Sequence, residues 1–272
     1  MAQRVRLSSL LTLISLTGLD KHPKLIATSV DEILGNWNHG NLDQVKIHDN
    51  YQLLKLICDI VGTGGDGFDT FNVSTTAAIV AAGAALSSAS GFADLLITLG
   101  IPLDRLTPFA EPEITNLDQT YCEVLKALGL KHSWVVCGNK GLDEISTSGP
   151  TSLWKLNEKD GTVENLELDP VKSFGLRYHP MEQLITKDPK DSLKTLDLLL
   201  DHSNDQNFGD DINQIAKLDF VLINASALLF LGGSAKDYKQ GIELARESLR
   251  SGRAREAIEK FKAKSLTVVS NS

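Results

Sequence analysis

Apolar residues recur at helical spacing from the first residues onward. Leu7, Leu10, Leu11 and Ile14 fall on one face and predict an amphipathic helix over 4–17, with a second helix from Lys24 to about Asn36. Asn36 to Asn50 is rich in Asn, Gly, Asp and His, the composition of a connection. The pattern then changes. Leu53 to Val61 is a short apolar run that ends as a buried strand feeding a glycine-rich turn, and Ser74 to Ala85, rich in alanine, reads as a helix. Leu95 to Leu99 reads as a further helix stopped by Gly100 and Pro102, Leu117 to Leu128 as another, and Ser133 to Cys137 as a strand. Ser152–Leu156 and Val163–Leu168 read as strands around the turn Glu158-Lys159-Asp160-Gly161. The remainder is helical: His179–Thr186, Pro189 to about Asp201, Ile212–Leu231 capped by Gly209-Asp210-Asp211, Asp237–Arg250 and Arg253–Lys264.

This alternation predicts an α/β fold: a large domain, residues 53–272, whose central mainly parallel sheet is flanked by helices, plus a small all-helical domain over 1–52. Near-continuous hydrophobicity from Phe220 to Leu231 marks core packing rather than chemistry. No apolar run is read as approaching the length of a bilayer span, so no membrane partner is expected. Arg4 and Arg6 precede an apolar stretch, as in a signal sequence, but no small-residue cleavage pattern follows.

The net charge of −8, without a long basic run, argues against a nonspecific nucleic-acid partner. It leaves room for a small anionic substrate, because a few backbone amides and one cation reverse a local field. Cys58, Cys122 and Cys137 are scattered without ligand spacing, which predicts a reducing, cytoplasmic compartment and no zinc site. The six histidines are equally dispersed and read as structural or surface residues.

The strongest chemical signal is Val61-Gly62-Thr63-Gly64-Gly65-Asp66-Gly67, followed by Thr70-Phe71-Asn72-Val73-Ser74-Thr75. Glycines after a strand let the backbone turn sharply and leave amides unobstructed for an anion. Asn72, Ser74 and Thr75 fall where a helix begins, so their side chains can cap it while its amides face the same ligand. A lone GxGG carries about even odds of being only a structural turn. This signal is longer. It is neither a Walker loop nor the GxGxxG fingerprint of dinucleotide folds.

The run resembles the phosphoribosyl-pyrophosphate loop of anthranilate phosphoribosyltransferases. A second match follows the strand ending at Cys137: Gly138, Gly141, Leu142, Asp143, Glu144, Ile145 and Ser146 resemble the family's G-x-x-G-x-D-E-x-S segment. A third, mainly structural, comprises Asn224-Ala225, Gly241, Ala245, Glu247, Ser251-Gly252 and Ala254. The resemblance implies a nucleoside phosphorylase/phosphoribosyltransferase-class fold in which Gly62, Gly65, Asp66, Thr70, Asn72, Val73, Ser74 and Thr75 contact phosphoribosyl pyrophosphate. Ser87 and Ser88 match the family's phosphate-binding serines. Ser74, Asp143 and Glu144 would hold Mg2+, a hard dication that neutralises the leaving pyrophosphate. No catalytic side chain is assigned, because an aromatic amine is already neutral at pH 7, and catalysis is expected from orientation and electrostatics. The same resemblance implies anthranilate as the acceptor and tryptophan biosynthesis as the pathway, and the Leu face of the first helix predicts a homodimer.

Two family segments have no counterpart. The Lys-His-Gly-Asn expected before Ser87 is missing, and so is the Pro-x-Arg site for the anthranilate carboxylate expected after Pro108. Further residues are therefore expected in the natural chain near Ala84-Ala85 and between Leu106 and Asn116. The rival readings are a pyrimidine nucleoside phosphorylase, which would not need the Asn-Val-Ser-Thr run or the Asp-Glu pair, and a non-catalytic nucleic-acid-binding relative.

Overall fold

A computed structural model of the chain describes residues 60, 67–85, 122–126, 133–157, 159–186, 189–201 and 211–260. The helices expected over 4–17, 24–36 and 95–99, most of the strand over 53–61, and the domain boundary at 52/53 lie outside the described residues. So do Gly62, Gly65, Asp66, Ser87 and Ser88.

The described elements, in chain order, are α1 (Val73–Ala85), β1 (Ser133–Cys137), β2 (Thr151–Leu156), β3 (Val163–Leu168), α2 (Pro189–Asp201), α3 (Ile212–Leu231) and α4 (Tyr238–Arg250). Residues 122–126 and 253–260 are also helical. For these seven named elements the expected bounds match to within a residue; both ends of the helix expected over 117–128 and the C-terminal end of the one over 253–264 lie outside the described residues. Helix α1 runs unbroken through Ala84 and Ala85, so no interruption falls inside it.

The described residues divide into two compact units, one holding 122–126, 133–136 and 152–166, the other 67–85, 137–151 and 167–260. In the first, β1, β2 and β3 form a three-stranded sheet in that order. The link between β2 and β3 is too short for anything but an antiparallel hairpin. Asn157 N donates to Thr162 O at 2.8 Å, and Gly161 takes φ 66°, a conformation glycine adopts without strain. Asp160 closes the turn by accepting from Thr162 N and Oγ1, and the Thr162 hydroxyl holds its carboxyl below the ordinary value. Most of β3 is exposed.

The second unit is built on helices. Helix α3 is its axis: every residue from Ala216 to Leu229 is buried, and α1 and α4 pack against it and each other. By length and composition α3 could cross a bilayer, contrary to the sequence expectation, yet 78% of its apolar window is buried inside the protein. Asp211 caps it, accepting from Asn213 N and Gln214 N, as the sequence predicts.

Small residues let these helices approach. A Cβ on Gly241 of α4 would lie 2.5 Å from Ser226 Oγ, and one on Gly83 of α1 would lie 2.5 Å from Ala254 N. Ser248 Oγ donates to Val80 O at 2.7 Å, and Arg253 Nε donates to Gly83 O at 3.0 Å, tying α1 to the C-terminal helices. The third sequence pattern is thus a packing code.

One expected helix is absent. Over 179–186 only Met181–Gln183 forms a short 3-10 turn, and Ile185 forms an antiparallel bridge with Thr70. Phe71 N donates to Leu184 O and Thr186 N to Asp69 O, both at 2.9 Å. Pairing with a distant segment outweighs local helical spacing here.

Candidate donor and metal site

The site grows from two loops fastened to one scaffold. The first is the exit of the glycine run. Gly67 takes φ 73°, a left-handed conformation that suits glycine. The zipper of 69–71 with 184–186 then delivers the chain to α1 in a fixed direction, with Phe71 buried beneath it.

Helix α1 begins at Val73, and Asn72 precedes it as its cap. Asn72 Oδ1 accepts from Thr75 N at 3.3 Å, while Thr76 Oγ1 donates to Asn72 O at 2.8 Å. Capping leaves other first-turn amides of the helix without partners inside it, and these are donors suited to a phosphate oxygen. Thr75 is exposed and Ser74 half-buried at this end, whereas the Val73 side chain is wholly buried. Whatever Val73 offers a ligand is therefore its backbone N–H.

The second loop spans 138–151. After β1 the chain makes a tight turn in which Gly141 N donates to Gly138 O, and Gly138 N donates to Leu142 O at 2.7 Å. Lys140 and Gly141 both take positive φ. A Cβ on Gly138 would lie 2.5 Å from the carbonyl oxygen of Glu144, so that glycine is needed for close approach. Asp143 and Glu144 are half-buried, and Glu144 Oε2 is shielded from solvent.

The far side of this turn is fastened internally. Ser146 N donates to Thr151 Oγ1, Ser148 N donates to Ser146 Oγ, and the two serine hydroxyls lie 2.8 Å apart. Two residues the sequence reading treated as structural hold it to the scaffold. The Asn224 side chain of α3 accepts from Ile145 N at 3.1 Å and donates to Ile145 O at 3.0 Å. His179 N donates to Thr147 O, while its buried ring meets Asp219, also on α3, at 2.8 Å.

Thr70, Asn72, Val73, Ser74, Thr75, Asp143 and Glu144 all lie in the second unit, fastened to α3 by α1 packing on one side and by Asn224 on the other. No cluster of three or more His, Cys, Asp or Glu suited to a metal occurs among the described residues. Two adjacent carboxylates match how Mg2+ is usually held, by one or two carboxylates, with substrate phosphates and water completing the shell. The donor set fits magnesium brought in with a phosphorylated ligand.

The family model described as "Glycosyl transferase family, a/b domain" matches residues 54–110 and 113–255. The anthranilate phosphoribosyltransferase of Schizosaccharomyces pombe is 30% identical over 327 aligned positions, which cover 96% of this chain and 87% of that enzyme. This chain belongs to the anthranilate phosphoribosyltransferase family. The alignment is longer than the 272-residue chain itself, so the fission-yeast enzyme carries segments without counterpart here. Two structures of the anthranilate phosphoribosyltransferase from Saccharomyces cerevisiae are also similar, one in complex with PRPP and Mg, the other with 4-fluoroanthranilate. Each is 25% identical with a TM-score of 0.58, covering 76% of this chain and 72% of that one.

Proposed function

We propose that this protein transfers the phosphoribosyl group of phosphoribosyl pyrophosphate to the amine of anthranilate, releasing pyrophosphate, as a step of tryptophan biosynthesis that depends on Mg2+. The observation that carries this reading is the capped N-terminus of α1 in the same unit as the Asp143-Glu144 turn, both fastened to α3. Amides at one end of the site and a metal-binding carboxylate pair at the other suit a ligand with several phosphate groups.

In the reaction the anthranilate nitrogen forms a bond to the anomeric carbon of ribose as the bond from that carbon to the pyrophosphate oxygen breaks. The amine proton then leaves to solvent. Magnesium, when bound, neutralises charge on the departing pyrophosphate. Ser74, Asp143 and Glu144 would hold it. The first-turn amides of α1 bind phosphate oxygens, Asn72 keeps those amides presented, and Gly138 lets the acidic turn close. Orientation and electrostatics carry the rate, because no strong general base is required. An oxocarbenium-like transition state follows by analogy with other sugar transfers.

Support for the donor half comes from this chain's own residues. Support for anthranilate comes from the relatives, since the Pro-x-Arg segment is not in the sequence. We further propose a mainly parallel sheet beside a small helical domain, a cytoplasmic setting and a homodimer. The alternation of elements supports the first, scattered cysteines the second, and the Leu7/Leu10/Leu11/Ile14 face the third. The deciding experiment incubates purified protein with Mg2+ and phosphoribosyl pyrophosphate plus anthranilate, and separately with thymidine plus phosphate. Anthranilate consumption is expected. Phosphorolysis of thymidine without anthranilate consumption would establish the nucleoside phosphorylase instead.

A further inference from the structure

We propose that Asn224 is a positioning residue of the donor site, setting the register of the Asp143-Glu144 pair through the backbone of Ile145. The inference rests on the magnesium-dependent reading above, and its grounds are geometric.

Asn224 is 1% exposed, yet every hydrogen-bonding group of its side chain except one lone pair is used. Oδ1 accepts from Ile145 N at 3.1 Å, and Nδ2 donates to Ile145 O at 3.0 Å and to Phe220 O at 2.9 Å. The orientation of the amide is forced by its partners. Turned over, it would set its NH2 against the Ile145 N–H and its oxygen against two carbonyls, losing all three bonds.

The bond to Phe220 O, one turn back in α3, locks the side chain in place. The remaining two bonds grip a single distant residue by both of its backbone groups, as a neighbouring strand would. Ile145 directly follows Glu144, and its own side chain is buried, so the peptide carrying the carboxylate pair cannot rotate without breaking the clamp. On the opposite edge of that same peptide, Glu144 O sits against the bare Cα of Gly138. The acidic turn is thus gripped between a glycine that permits approach and an asparagine that fixes it. Partners of metal ligands commonly matter this much: their loss costs roughly 10- to 100-fold in metal affinity.

The test compares full-length wild type with Asn224→Leu, Asn224→Ser and a control, Ser248→Ala. Ser248 is equally buried and bonds Val80 O, far from the acidic turn in sequence. In Asn224→Ser the hydroxyl still reaches the carbonyl of Phe220, so the helix stays satisfied while Ile145 is released. Two readouts are taken: hydrogen exchange of the Ile145 amide with neither metal nor donor present, and the Mg2+ concentration giving half-maximal binding of phosphoribosyl pyrophosphate by calorimetry. Both Asn224 variants should expose the Ile145 amide and raise that concentration about tenfold or more. Ser248→Ala should lower the melting temperature and leave the magnesium response unchanged. Equal magnesium responses in Asn224→Ser and Ser248→Ala would overturn the positioning role. Failure of wild type itself to bind phosphoribosyl pyrophosphate with magnesium would instead overturn the functional reading beneath it.

Discussion

His179 Nε2 lies 2.8 Å from Asp219 Oδ2, with both side chains almost wholly buried. Arg246 approaches the other oxygen of Asp219 at 3.4 Å, and Arg177, two-thirds exposed, lies 3.9 Å away. These contacts are unequal. Removing the ring in His179→Leu leaves a buried carboxylate short of a donor and should cost about 1.5–3 kcal/mol. Arg177→Ala removes only a loose, solvent-screened pair and should cost less than about 1 kcal/mol. Because Thr147 is held by the backbone N–H of His179, neither change should abolish magnesium dependence. Urea denaturation and a magnesium titration check both statements.

Gly138→Ala should damage the site more than Gly149→Ala. In the first the new Cβ meets the backbone carbonyl of Glu144 at 2.5 Å, so the acidic turn itself must move. In the second it meets only the Asn139 side chain, whose Nδ2 at 2.7 Å and Cγ at 2.9 Å can rotate away, leaving a tight but lesser contact with its Cβ at 3.1 Å. We expect Gly138→Ala to lower magnesium-dependent activity at least tenfold, in line with lost ligand support, and Gly149→Ala to retain most of it. Similar activity in the two variants would contradict this geometry.

Gly241→Ala tests the packing of α3 on α4. Helix propensity alone favours alanine by about 1 kcal/mol. The Cβ, however, would lie 2.5 Å from Ser226 Oγ and 2.9 Å from Ser226 O. Overpacking of that kind typically costs about 1–3 kcal/mol, so the net effect should be a lower melting temperature.

Asp169 fastens the turn after β3, accepting from Val171 N, Lys172 N and the Tyr178 hydroxyl. The Tyr178 bond first, then the backbone amides, hold its carboxyl below the ordinary value, while Tyr178 is pushed above 10 by the same bond. A depressed carboxyl stabilises the fold above its unfolded value near 3.8 and loses that contribution as pH falls through the folded value. Tyr178, whose value is raised, contributes below 10 and loses its contribution as pH rises through the folded value. Tyr178→Phe should therefore move the Asp169 titration upward, as NMR would record, and shift acid unfolding to higher pH.

Much of this was legible along the chain, because local rules suffice for it. Asp211 and Asn72 announce helix starts, Gly161 a hairpin turn, and the apolar run from Phe220 to Leu231 a core helix. The stretch 179–186 has helical spacing yet pairs with 69–71, more than a hundred residues away in sequence, a partner no local rule reveals. Asn224 was read as structural for the same reason: the Ile145 backbone it grips lies 79 residues earlier. Gly138 belonged to a recognisable pattern, but the carbonyl that makes it necessary emerges only when the turn is folded.

In the proposed function, Asp143 and Glu144 make phosphoribosyl transfer depend on magnesium. The most direct measurement is pyrophosphate release from phosphoribosyl pyrophosphate by wild type and by Asp143→Asn/Glu144→Gln, with and without anthranilate, across a magnesium titration. Wild type should release pyrophosphate only when both anthranilate and Mg2+ are present, and the double variant should release almost none while keeping its melting temperature. Unchanged turnover and an unchanged magnesium response in the double variant would contradict the account.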